Sequence, residues 1–92
     1  MKINGKVIDN TVAKRFELHV DGHSAYIDYR VKEDKIFLIH TEVPKALGGK
    51  GIGSSLVKQT LEEVEKQKLK AVPLCSFVSS YIDRHPEWEK IR

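Results

Sequence analysis

The sequence predicts one α/β domain over residues 1–92: a mixed, mainly antiparallel sheet with one parallel pair and two helices, in the order β-β-β-β-α-β-α. Three observations carry that expectation. Apolar and polar residues alternate from Phe16 to Val31 across an Asp21-Gly22 turn signal. An apolar run, Ile36-Phe37-Leu38-Ile39, leads through a glycine-rich stretch into a pattern of helical period. A short apolar segment, too short for anything but a strand, then precedes a second helical pattern.

Taken in order, Val7 and Ile8 form a short edge strand ended by Asp9-Asn10. Phe16, Leu18 and Val20 alternate with Glu17, His19 and Asp21, the period of a half-buried strand. Asp21-Gly22 closes a hairpin, and Ala25, Ile27, Tyr29 and Val31 supply the buried side of the return strand. Glu33-Asp34 makes the next turn. The segment from Lys35 to Val43 begins as a continuous apolar run, so it is expected to be central and covered on both faces; Pro44 ends it. From Ser54 to Lys68, Leu56, Val57, Leu61 and Val64 fall on one helical face, with a Glu62–Lys66 ion pair on the other. Lys70 to Cys75 is the next strand, and a strand–helix–strand unit implies a parallel, right-handed crossover. Pro73 cannot donate to a ladder, so this strand is an edge or parts from its neighbour near its end. Phe77, Val78, Tyr81 and Ile82 mark a last helix that stops at His85-Pro86. By periodicity Tyr26, Tyr29, Phe77, Tyr81 and Trp88 are mostly core, with Trp88 pinning the C-terminal tail.

Bulk properties exclude several classes. With 40% hydrophobic and 32% charged residues the chain has a globular rather than a disordered balance. No apolar run approaches membrane-spanning length, and Met1-Lys2-Ile3-Asn4-Gly5 lacks the apolar centre of a signal peptide, so a cytoplasmic location is expected. The single cysteine, Cys75, cannot form an internal disulfide. A net charge of +3 suits a polyphosphate ligand but is too small and too evenly spread to argue for nucleic acid. His19 and His23 flank a turn without carboxylate or thiol company in a ligand spacing, so no metal site is expected.

The stretch Gly48-Gly49-Lys50-Gly51-Ile52-Gly53 is the main functional signal. Glycines let a ligand approach the backbone, and the following helix aims its unpaired N–H groups and positive dipole end at the same gap. That combination binds phosphate or pyrophosphate. Two familiar loops fit badly: Ser54 stands where a P-loop needs lysine, and again where the dinucleotide fingerprint needs its last glycine. A plain flexible linker is the alternative.

The element order, with this loop between the central strand and the long helix, resembles the GNAT acetyltransferase superfamily. Gly51-Ile52-Gly53 matches the glycine part of its Gln/Arg-x-x-Gly-x-Gly/Ala signature, although Gly48 stands at the Gln/Arg place. His40-Thr41-Glu42-Val43-Pro44 and Pro73-Leu74-Cys75-Ser76-Phe77 look like the smallest GNAT-like subfamily, with a cysteine after the strand that follows the cofactor helix. The resemblance spans about Phe16 to Trp88. It implies an acetyl-CoA-dependent N-acetyltransferase acting on an unspecified amine, conceivably a protein lysine or N-terminus. Cofactor contacts would come from Thr41, Val43, Gly48, Gly49, Lys50, Gly51, Ile52, Gly53 and Ser54, with Lys50 a point charge.

Acetyl transfer needs a deprotonated amine, a polarised carbonyl and a proton for the departing thiolate. Cys75, expected between a strand end and a helix N-terminus, is the sharpest candidate, either as a nucleophile or as a proton donor or wall. An inert buried thiol is the alternative. His40 and Glu42 share one side of the central strand, opposite Thr41 and Val43, and are candidates for a general base; a hydrogen-bonded core histidine and a rim carboxylate fit them equally well. Ser76, Ser79 and Ser80 are read as capping residues. A non-catalytic acyl-CoA-binding module and, more remotely, a small basic nucleic-acid-binding domain are the competing functions.

Overall fold

The computed structural model describes residues 5–48 and 51–92. Five strands form one sheet in sequence order: β1 (Ile8–Asn10), β2 (Arg15–Val20), β3 (His23–Lys32), β4 (Lys35–Glu42) and β5 (Lys70–Pro73). The first four pair antiparallel, and β4 pairs parallel to β5. Helix α1 (Ile52–Lys66) makes the crossover and α2 (Ser76–Arg84) follows β5. Short 3-10 turns at Lys45–Leu47 and Pro86–Ile91 flank these elements.

The β2–β3 hairpin turns on Asp21 at φ 50° and Gly22 at φ 77°. Two successive left-handed residues give the turn whose twist matches the strands, which is why Asp-Gly serves here. Phe16, Leu18, Ala25, Ile27, Ile36 and Leu38 point from the sheet into one core, against Leu56, Val57, Leu61 and Val64 of α1 and Val78, Tyr81 and Ile82 of α2. Trp88 and Ile91 close that core from the C-terminal turn. Both helices lie on this face.

The opposite face of the sheet carries Arg15, Glu17, Tyr26, Asp28, His40 and Glu42, none of them buried. Arg15 Nε lies 3.2 Å from Asp28 Oδ1, and its guanidinium carbon 3.9 Å from the centre of the Tyr26 ring. Several expectations fail on this point. β4 is internal to the sheet, but only one of its faces is covered: Phe37 is half-buried and Ile39 is 41% exposed. Two helices reach only one side of the sheet, so an apolar run did not signal two-sided burial. Tyr26 is not core for the same reason, and Phe77 is 40% exposed at the core margin. Val31, expected on the buried side, is 50% exposed near the end of β3.

Boundaries shift too. α1 starts at Ile52, two residues before Ser54, because Gly51 adopts φ 73° and acts as its N-cap. It ends at Lys66, with Lys68 left-handed at φ 60°. Lys66 reaches Glu63 at 3.9 Å rather than Glu62. β1 starts at Ile8 and β5 stops at Pro73, not Cys75. No serine side chain caps α2; Cys75 itself stands at its N-cap.

Two polar contacts fasten the N-terminal edge. The Tyr29 hydroxyl donates to Asp9 Oδ1, and burial beside that carboxylate pushes the phenol up to about 12. Gln59 of α1 accepts from Val7 N–H at 2.8 Å and donates to Ser55 Oγ at 3.0 Å. Thr60, fully buried, has a hydroxyl without a partner. An unsatisfied buried hydroxyl costs free energy. Thr60→Val is therefore expected to raise unfolding stability by about 1 kcal/mol, and Leu61→Ala to lower it by roughly 3 kcal/mol, both read by urea denaturation. Because the Tyr29 pKa is raised, its contribution is intact below about 10 and lost as pH rises through about 12; Tyr29→Phe should abolish that alkaline loss.

Candidate active site

The site forms where β4 and β5 stop pairing. Their ladder ends at Leu38↔Pro73. Past it, the N–H groups of Leu74 and Cys75 both donate to the Leu38 carbonyl, at 3.0 and 3.1 Å. The chain then turns into α2, leaving Ile39 to Glu42 without a β5 partner. Pro73 serves both readings of the sequence, since β5 is an edge strand and separates from β4 at its end. On the other side of β4, Asp28 pairs with His40 and Tyr29 with Leu38, so Ile39 is an extra, bulged residue. A bulge bends the strand and re-aims its side chains. Here it coincides with the parting from β5.

Beside this parting lies a groove of about 500 Å³ lined by Val43, Leu47, Gly48, Gly51, Ile52, Gly53, Ser54 and Phe77, with Pro44 and Lys45 at its rim. The first bond of α1 runs from Ser55 N–H to the Gly51 carbonyl at 3.0 Å. The amides of Ile52, Gly53 and Ser54 therefore have no acceptor within the helix and lie at its positive end. Gly51 needs its left-handed φ, and a Cβ placed there would meet nothing within 4 Å. Among the described residues the backbone here is thus open to approach. Of the expected cofactor residues, Val43, Gly48, Gly51, Ile52, Gly53 and Ser54 line this groove. Gly49 and Lys50 lie outside the described residues.

Cys75 and Thr41 meet at the inner end of the parting, with Sγ 3.2 Å from Oγ1. Burial pushes the Cys75 thiol up. The Thr41 hydroxyl and the backbone N–H groups of Val78 and Phe77, at the first turn of α2, outweigh it, and the net shift is downward. A cysteine at a helix N-terminus is expected to behave so. His40 and Glu42 sit on the bare face of β4, on either side of Thr41 in sequence. Their side chains are each 56% exposed, with Nε2 and Oε1 3.9 Å apart. His40 is therefore not a core histidine; its ring faces Tyr26 edge-on at 6.4 Å. The structure thus divides the candidates: Cys75 and Thr41 at the parting, His40 and Glu42 across the strand.

Sequence reading missed three participants. Phe77 looked like core because its helical spacing includes Val78 and Tyr81. Leu47 sits in a 3-10 turn with no periodic signature. The Thr41–Cys75 contact spans 34 positions, although two parallel strands ending at Pro44 and Pro73 hinted that their ends lie side by side. Since the lowered pKa favours the thiolate, alkylation of Cys75 by iodoacetamide should begin at a lower pH than for an ordinary thiol. Thr41→Val should move that profile upward; an unmoved profile would show that the hydroxyl does not tune the thiol.

Comparison with known proteins agrees with this geometry. The family model described as GCN5-related N-acetyl-transferase matches residues 15–91. A GCN5-like protein of Staphylococcus aureus, solved in solution by NMR, superposes with a TM-score of 0.71 at 27% identity, covering 94% of this chain and 85% of that one. Protein NATD1 of Xenopus tropicalis is 36% identical over 56 residues, 61% of this chain and 51% of its own length. Protein NATD1 of Homo sapiens is 41% identical over 49 residues, 53% of this chain and 43% of its own length. The aligned regions thus span about half the length of these curated relatives or less. With most of its length matched by the family model and its fold shared with a solved GCN5-like structure, the chain belongs to the GCN5-related N-acetyltransferase family.

Proposed function

We propose that this protein is an acetyl-CoA-dependent N-acetyltransferase that transfers acetyl to an amine acceptor. The observation that supports the reading is a groove walled by the N–H-rich backbone of Gly51–Ser54 together with Val43 and Phe77, the latter two being chain neighbours, two residues away, of Thr41 and Cys75, whose side chains meet where the sheet opens. When bound, the thioester would supply an activated acetyl group. The amides of Ile52, Gly53 and Ser54 would hold its diphosphate. Val43, Leu47 and Phe77 would shelter the apolar part of the pantetheine arm. The backbone of β4 past Leu38 has no β5 partner, so it is free to pair with the arm's amides as a strand edge pairs with a peptide.

The remaining roles follow from the two sides of β4. Cys75 at the parting is placed to return a proton to a departing thiolate, and its thiol is the nucleophile in a two-step alternative. His40 and Glu42, solvent-accessible and close to each other, are suited to receive the proton of an amine arriving on the bare face, directly or through water. A lysine side chain or N-terminus of a protein suits such an open face better than a metabolite needing an enclosed pocket.

Titration of coenzyme A into 15N-labelled protein tests the cofactor. The amides of Gly48 and Gly51–Ser54 should shift, and silence there with responses elsewhere would refute the assignment. In a turnover assay with amine acceptors, Cys75→Ala is expected to lower kcat by about 10²-fold or more with coenzyme A affinity nearly unchanged. His40→Gln combined with Glu42→Gln should lower kcat in the same assay, and an unchanged kcat would exclude both as the base. Binding without turnover of any amine would identify a non-catalytic acyl-CoA module instead.

A further inference from the structure

Gly53 is not in a loop: it lies inside the first turn of α1, where glycine is a poor helix former. Its glycine character has a visible cause. A Cβ built there would lie 2.6 Å from Cζ of Phe77 and 3.3 Å from Cε1, closer than packed atoms tolerate. Phe77, from the first turn of α2, is 40% exposed and lines the same groove as Gly51 and Val43. Its ring therefore rests on the Gly53 backbone and shows its remaining surface to the groove. What occupies the place of a side chain at Gly53 is this ring. At Gly51, with φ 73°, a Cβ would meet nothing within 4 Å.

We propose that Gly53 is a seat for the Phe77 ring, and that Phe77 is a positioning residue forming the apolar wall against which the thioester arm of acyl-CoA is held. The inference rests on reading the groove as the acyl-CoA site. It follows from two facts. A large ring left 40% exposed gains stabilisation when a ligand's apolar atoms cover it. The ring is also fixed in place only because the residue beneath it lacks a side chain.

The clash at Gly53 involves the far end of a side chain with open space beside it, so the ring rather than the backbone gives way. Gly53→Ala is thus expected to keep its Tm within a few degrees while weakening coenzyme A binding about tenfold by calorimetry, the ring being pushed into the groove. Phe77→Ala should weaken binding to a similar extent by removing the wall. The double variant should bind no more weakly than Phe77→Ala alone, since the added methyl then meets nothing. Additive losses in the double variant, or an unchanged Kd in either single one, would overturn the proposal. Ring-current shifts of the Gly53 Hα protons, lost in Phe77→Ala, read the seat without ligand; their absence from the wild-type protein would also overturn it. Wild-type protein that shows those shifts but binds no coenzyme A would overturn the cofactor reading, and the ligand role of Phe77 with it, leaving the seat as a packing contact.

Discussion

The site depends on one broken ladder. Two parallel strands joined by a helix would ordinarily continue to pair to their ends, satisfying each other's backbone groups. Here proline at position 73 removes a donor, the Leu38 carbonyl takes both of the next two amides, and an extra residue at Ile39 bends the partner strand away. Without that separation the first turn of α2 could not bring Cys75 beside Thr41, nor would β4 keep an edge for a ligand. The thiol's lowered pKa, the groove and the exposed end of β4 all follow from the same local failure of pairing.

The second constraint is size. Ninety-two residues supply enough apolar side chains to cover one face of a five-stranded sheet, and both helices are spent on that face. The other face is solvated, and its charges are arranged in neighbouring pairs: Arg15 with Asp28, His19 with Glu17, His40 with Glu42. Pairs of this exposure contribute little to stability. Their importance is that they leave a polar floor next to the opening in the sheet. The groove and the bare face thus meet at the end of β4, where Val43 lines the one and His40 and Glu42 stand on the other.

Features encoded locally were legible in the sequence. Asp21-Gly22 specifies its own turn, Leu56, Val57, Leu61 and Val64 reveal the buried side of α1, and Cys75 could be placed between a strand and a helix from the order of patterns alone. What depended on the number of covering layers was not. Phe37 and Ile39 are as apolar as any core strand, yet among the described residues no second layer covers them. The start of α1 was misjudged because Gly51 and Gly53 read alike as loop. In fact one is a left-handed cap and the other a helical residue whose missing side chain is explained only by Phe77, 24 positions further along. Of the expected cofactor residues, Val43, Gly48 and Gly51 to Ser54 line one groove, Thr41 lies instead beside Cys75, and His40 and Glu42 lie across the strand from the thiol. Strand alternation had already separated them from Thr41.

The edges of the sheet carry a consequence for how the protein lives in solution. A sheet uncovered on one side and ending in two free borders is a template for lateral growth by other chains. β1 offers only Ile8–Asn10 on one border, held by Tyr29 and Gln59 through Asp9 and Val7. β5 offers only Lys70–Pro73 on the other, begun by a lysine and finished by a residue that cannot donate. Each of these border strands is only three or four residues long. Little unpaired backbone is therefore left along these two borders, which limits how far strand-to-strand addition could extend the sheet there.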